Sequence, residues 1–215
     1  MLQKSSIPDE IIRIGCTIEE YQNLRSIEER RLYLSRAIYS LDEEDNVNEY
    51  LSTVAQIVQL IFEFNAKDKE LPPEQRTPIK LFINSPGGDI TEGFPLVAAI
   101  KLSKTPIYTI NIGEWNSMAF LIGITGHKRF ALPYTKFLLH EGSLFAGGST
   151  NKVQDRVEFD KRFEREIVKK HVLNYSNMTE ADYDALARVE YYMLPEDAIE
   201  RNFIDEIITD IDTIL

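Results

Sequence analysis

One cysteine, three histidines and one tryptophan stand among 215 residues, and each scarcity removes a class of explanation. With Cys16 alone, no internal disulfide can form, which fits a reducing compartment, and small-domain disulfide scaffolds are excluded. Basic residues are also few: 24 Lys and Arg face 35 Asp and Glu, for a net charge of −11. Nucleic-acid affinity rests on clustered cations that displace counterions from phosphates, so no nucleic acid is expected as a partner. Long apolar runs are missing too. The most apolar stretch, 105–126, is interrupted by Asn111, Glu114 and Asn116 and by glycines, whereas a spanning helix needs about 20 mostly apolar residues. The first residues, MLQKSSIPDEIIRIG, carry Asp9 and Glu10 inside their only apolar run, so neither export nor a membrane is expected and the reading is cytoplasmic.

What remains is ordinary globular composition, 43% hydrophobic and 27% charged, in a chain long enough to bury roughly 70% of its unfolded surface. No fixed-period repeat, low-complexity tract or flexible linker divides it, so one domain is expected. Thr17 and Glu20 have the spacing of a capping box and predict a short helix, followed by a strand over 31–38. After a polar break at Leu41 to Asn46, Val47, Leu51, Val54, Val58 and Ile61 recur at helical spacing. The proline-rich, charged stretch 67–78 predicts an exposed loop leading into the strand IKLFI at 79–83. A helix over about 90–102, a buried strand near 106–112 and a helix opening at Ser117 complete the alternation. The pattern predicts an α/β fold, a mostly parallel sheet covered by helices, with functional residues at strand ends. Residues 151–172 carry Val153, Val157, Phe159, Phe163, Ile167 and Val168 and predict a projecting helix whose apolar stripe needs a partner.

Histidine is the side chain that titrates near neutrality, so three histidines make a short search for a general base. His127 lies in the turn GHKR and His171 in the charged helix, whereas His140 ends the strand KFLLH before a glycine-containing loop, where α/β enzymes keep catalytic groups. Ser117 in NIGEWNSMAF is the matching nucleophile: strand, glycine turn, then a helix starting at the serine. A serine there also suits a helix N-cap, and Ala119 stands where the α/β-hydrolase elbow has glycine. The paired glycines of INSPGGD at 83–89 can present backbone N–H groups to a developing oxyanion. A carboxylate should orient the imidazole, but spacing alone does not choose among 35 acidic residues.

In order along the chain, INSPGGD, GEWNSMAF, KRFALP, FLLH and PEDAIERNFIDEI resemble the proteolytic subunit of the Clp protease, the ClpP family of serine peptidases, over about residues 30–207. The resemblance implies a ClpP/crotonase-like fold of ββα units in a single peptidase domain, 29–215, with a handle region at about 141–173. Residues 1–28 form a divergent N-terminal segment, a candidate axial gate. It implies Ser117 as nucleophile, His140 as base, the N–H groups of Gly88 and Met118 as oxyanion hole, and Gly87, Ile90 and Glu141 as substrate-binding residues. Substrate would be unfolded polypeptide, paired by its backbone with a strand formed by 141–149. The family's catalytic aspartate aligns with Glu190, with Glu180, Asp182 and Asp184 as substitutes, and Arg188 and Val189 stand where the family usually has an acidic residue and an arginine that link two rings. The implied assembly is a homo-oligomer, heptamer or tetradecamer, fed by a separate ATP-driven unfoldase. The chain itself has no phosphate-binding loop of the Walker type, and neither cofactor nor metal is expected. Two other readings stand beside it: a catalytically impaired, structural ring subunit needing a homologous partner, and a crotonase-type acyl-CoA enzyme, which does not explain the Ser117 and His140 pair.

Overall fold

The computed structural model describes residues 17–38, 53–144 and 146–215. Cys16, the polar break at 41–46 and the stripe positions Val47 and Leu51 lie outside the described residues.

The elements run α1 (Ile18–Glu28), β1 (Arg31–Leu34), α2 (Thr53–Lys67), β2 (Ile79–Ser85), α3 (Ile90–Leu102), β3 (Ile107–Asn116), α4 (Met118–Gly123), β4 (Lys128–Ala131) and β5 (Lys136–Leu139). They continue with α5 (Thr150–Phe163), a π-helical turn (Glu164–Val168), α6 (Lys169–Asn174), α7 (Glu180–Leu186), β6 (Tyr191–Met193), α8 (Pro195–Glu200) and β7 (Glu206–Ile207). The described strands form a seven-stranded sheet with the path β1-β2-β3-β4-β7, while β5 pairs with β3 and β6. Every pairing is parallel except β5 with β6. The α/β expectation is met. The capping box at Thr17 and Glu20 is present, with both reciprocal hydrogen bonds formed. The strand expected over 31–38 stops at Leu34, and Ile38 instead makes an isolated parallel bridge to Gly88.

Period-2 burial explains the layers. Ile79, Leu81 and Ile83 of β2 point into the main core with Leu96 and Ile100 of α3, while Phe82 points the other way into a small cluster with Ile110, Phe130, Ile208 and Ile214. Helix α4, which follows Ser117, is buried along its whole length, and Gly123 lets it approach Trp115 so closely that a Cβ there would lie 2.4 Å from the indole. Behind α4, buried His171 reaches the Leu121 carbonyl at 3.0 Å through Nε2 and Thr125 Oγ1 at 3.1 Å. Burial holds its pKa below the ordinary imidazole value.

Strand β3 changes partners along its length. Its first half lies between β2 and β4, and its last three residues pair with β5 while Trp115 keeps Ser85 of β2 as its other neighbour. The register with β2 jumps from Ile83↔Asn111 to Ser85↔Trp115, so β3 carries two extra residues as a bulge. Side-chain amides satisfy the bulged backbone: Asn111 Oδ1 accepts from the Gly113 N–H at 3.0 Å and Asn84 Oδ1 from the Glu114 N–H at 3.2 Å.

The loop expected to be exposed at 67–78 is so only in part. Asp68 and Arg76 are buried, because Asp68 takes both guanidinium nitrogens of Arg30 at 2.6 and 2.7 Å and a hydrogen bond from Thr105 Oγ1 at 3.1 Å. The Arg30 hydrogen bonds hold the Asp68 carboxyl below the usual carboxylate range. Charge alone predicts solvation; a bidentate partner 38 residues away reverses it.

A group whose folded pKa is depressed adds stability above its unfolded pKa and loses it as the pH falls through the folded value. Asp68→Asn therefore destabilises the fold by about 3 kcal/mol at neutral pH, since it strands the Arg30 charge. The gap between variant and wild type starts to narrow at about pH 4, where the unfolded carboxylate protonates, and closes as the pH falls through the lower folded value. Urea titrations at pH 7 and about pH 2.5 check this; equal gaps at both pH values contradict it.

Candidate active site

Strand β5 sits between the two elements that matter. On one side it pairs in parallel with β3, Asn116 opposite Leu138, and the Ser117 N–H continues the ladder to the Leu138 carbonyl at 3.0 Å. On the other side it pairs antiparallel with β6, Phe137 opposite Met193 and Leu139 opposite Tyr191. One further step of that register sets His140 opposite Glu190, the spacing at which cross-strand side chains meet. They do: His140 Nδ1 lies 3.0 Å from Glu190 Oε1. Glutamate reaches because His140 is set back, its side chain 25% exposed, while Glu190 at 57% leans over it from the surface. Ser117, at the end of β3, and His140, at the end of β5, border one small cavity of about 20 Å³, together with Ile90, Met118, Leu121 and Gly142. The two are not hydrogen-bonded to each other in this conformation.

The backbone at Ser117 has φ 55° and ψ −123°, conformational space that glycine occupies freely and other residues rarely do. Nor does the side chain cap the helix that follows, since its hydroxyl makes no capping hydrogen bond. The N-cap reading therefore does not account for the serine. Its helix opens at Met118, one residue later than the sequence suggests. The strain is held by the ladder bond to Leu138 and by hydrogen bonds from the Phe120 and Leu121 N–H groups to the Ser117 carbonyl at 3.0 and 3.3 Å.

The glycine loop after β2 wraps against this turn. A Cβ on Gly87 would fall 2.4 Å from the Asn116 carbonyl oxygen, 2.7 Å from Ser117 Cβ and 2.9 Å from the Met118 nitrogen, so only glycine allows the approach. Ile38 fixes the loop from outside, donating to the Gly87 carbonyl at 2.8 Å and accepting from the Asp89 N–H at 2.6 Å. The Gly88 N–H between them, like the Met118 N–H, has no acceptor among the described residues. Asp89 then caps α3 through the N–H groups of Thr91 and Glu92.

Other expected positions separate. His127 is structural, its Nδ1 accepting from the Ile107 N–H at 3.1 Å. Asp182 is spent in the capping box of α7, and Asp184 and Glu180 pair with Lys169, so none of the substitutes for Glu190 meets His140. Glu141 is exposed and its N–H bonds to the Ala187 carbonyl at 2.6 Å. Residues 141–144 and 146–149 form no strand, contrary to expectation. Glycine and serine hold an extended conformation weakly, and no neighbouring strand offers a ladder. The projecting helix is present, but as α5, a π-turn and α6 rather than one regular helix.

That π-turn brings in a residue the sequence reading passed over. Glu164, half-buried, lines the same cavity as Ser117 and His140 and accepts a short hydrogen bond from the Tyr183 hydroxyl. Its signal was legible: Val153, Val157, Glu164 and Val168 are four, seven and four positions apart, which puts an acid on the apolar stripe.

A family model described as Clp protease matches residues 27–211. Among similar proteins, the ATP-dependent Clp protease proteolytic subunit 2 of Prochlorococcus marinus subsp. pastoris is 33% identical over 187 residues, covering 83% of this chain and 85% of the relative. The ATP-dependent Clp protease proteolytic subunit 3 of Parasynechococcus marenigrum is 32% identical over the same length and similar shares.

If the backbone at residue 117 is strained, removing Cβ should relieve it. Ser117→Gly and Ser117→Ala both lack the hydroxyl, and Gly ordinarily costs stability relative to Ala. Here the order inverts, with Ser117→Gly more stable by about 1 kcal/mol. Thermal melts of the two variants decide it, and an alanine variant as stable as the glycine one would show a relaxed turn.

Proposed function

The chain belongs to the Clp protease family, and from that premise we propose that Ser117, His140 and Glu190 are the acyl-transfer machinery of this serine endopeptidase, a Clp-type proteolytic subunit. The observation that carries the reading is the 3.0 Å contact between His140 Nδ1 and Glu190 Oε1 one strand away from Ser117.

With Nδ1 committed to the carboxylate, Nε2 is the imidazole nitrogen left to take the Ser117 proton. As Oγ bonds to the scissile carbonyl carbon, the carbonyl π pair moves onto oxygen, and the N–H groups of Gly88 and Met118 are the donors for that oxyanion. Each donor of this kind contributes on the order of 100-fold or more in rate. The imidazolium then returns its proton to the departing amine, leaving an ester on Ser117, and water repeats the sequence to release the acid. Glu190 stabilises the imidazolium and fixes its tautomer, though as a half-exposed carboxylate it is partly replaceable by solvent. Gly87 and Ile90, on the loop and helix facing Ser117, and Glu141 would meet the bound peptide. Residues 141–144 and 146–149, outside any strand ladder here, would pair as a strand with a substrate backbone or a neighbouring subunit.

The chain works, on this reading, in the cytoplasm within a homo-oligomeric ring, heptamer or tetradecamer, on unfolded polypeptides delivered by an ATP-driven unfoldase. Residues 29–215 act as one peptidase domain and 1–28 as the gate segment. The relatives' names, which describe ATP-dependent proteolytic subunits, support the partner. Among the described residues no helix is long and apolar enough to cross a membrane. The structural-subunit reading is not favoured, because serine, histidine and carboxylate are all retained in contiguous strands.

Short peptides need no unfoldase and isolate the chemistry. Ser117→Ala abolishes their cleavage, while Glu190→Gln lowers kcat on the order of 100-fold with KM little changed, less than for a fully buried triad acid because water shares the role. Steady-state kinetics on the assembled wild type and variants check it. A Glu190→Gln variant with wild-type kcat would remove Glu190 from the mechanism.

A further inference from the structure

Glu164 is a charged residue on an otherwise apolar wall. Ile90, Leu121, Leu139 and Val168 make most of the cavity beside Ser117 and His140, and Glu164 enters it from the π-turn. A π-turn inserts a residue into a helix and redirects the side chains around it, which is why such turns recur at functional sites. The Tyr183 hydroxyl holds the carboxyl in place, and a phenol can satisfy only part of a carboxylate's acceptor capacity. Burial raises the Glu164 pKa, the phenol hydrogen bond opposes this, and the nearby Glu141 charge adds to the rise. No cation pairs with Glu164 among the described residues. Lys169, whose Nζ lies 6.0 Å from the Tyr183 ring centroid, is committed to Asp184 and Glu180 at 2.9 and 3.1 Å. The carboxyl thus has acceptor capacity left over beside Ser117 and His140.

We propose that Glu164 is a specificity-determining residue of this peptidase, selecting substrates with lysine or arginine on the acyl side of the scissile bond. The inference rests on Ser117 being the nucleophile. The acyl-side residue is the one that becomes bonded to Ser117, so its side chain is the substrate group held nearest the cavity. The apolar wall suits the methylene stem of a long basic side chain, and Glu164 its charged end. The space of about 20 Å³ holds a group the size of a water or an ammonium, so a lysine end fits it as it stands, whereas broader side chains enter only with movement of its walls.

The test uses the assembled protein and fluorogenic peptide amides, identical except for Lys, Arg, Leu, Phe or Glu at the acyl-side position, with a coumarin leaving group so that no residue follows the scissile bond. Wild type should cleave the Lys and Arg peptides with kcat/KM roughly tenfold above Leu and further above Glu, since a charge-assisted hydrogen bond is worth about that factor. Glu164→Gln, close to isosteric, should bring Lys and Leu to parity while leaving Leu turnover within about twofold. Glu164→Asp, which keeps the charge, should retain part of the preference. A wild type without basic preference, or a preference that Glu164→Gln leaves intact, overturns the inference while Leu cleavage shows the peptidase reading standing. Failure to cleave any peptide together with failure of a fluorophosphonate to label Ser117 removes that reading, and this inference with it.

Discussion

A four-residue strand, β5, is the constraint on which the site depends. Parallel pairing to β3 and antiparallel pairing to β6 put the C-terminal ends of two strands and the N-terminal end of a third at the same edge. Ser117, His140 and Glu190 are the residues that follow, follow and precede those ladders. No long-range loop has to be aimed, since backbone hydrogen bonds set the three positions and side-chain length does the rest. The bulge in β3 falls between its pairing with β4 and its pairing with β5, so the strand changes partner where its two extra residues lie.

Energy flows from this packing into the turn at Ser117. A non-glycine residue at φ 55° costs on the order of 1–3 kcal/mol and persists only where its surroundings over-determine it. They do so from three directions: the Leu138 carbonyl takes its N–H, buried α4 anchors the helix side, and Gly87 fills the space beside Ser117 Cβ. The result is a hydroxyl free of capping duty beside two backbone N–H groups that have no acceptor among the described residues. On the proposed reading, these are the nucleophile and its anion-binding donors, organised before substrate arrives.

Much of this was legible in the residues. Alternating strand and helix patterns gave the α/β class, and the strand-end positions of Ser117 and His140 singled them out. Glu190 was legible only through resemblance, because 35 acids offer no periodicity to choose by, whereas the β5–β6 register chooses it at once. Charge and proline content make Asp68 and Arg76 read as solvated, whereas Asp68 meets Arg30 far away in sequence and Arg76 folds back on the Leu71 carbonyl of its own loop. The strand expected over 141–149 is absent from its described residues, 141–144 and 146–149, for a strand exists only with a neighbour. The π-turn left no composition signal, although the stripe spacing of Glu164 did, and in the fold Glu164 shares the cavity with Ser117.

The central claim is that Ser117 is activated by His140 in this strand-end geometry. Purified protein treated with a fluorophosphonate, digested and sequenced by tandem mass spectrometry tests it most directly, with His140→Ala treated in parallel. The account predicts one adduct, on Ser117 of the wild type, and none on the variant. An adduct on another serine, or equal labelling of Ser117 without His140, would contradict it.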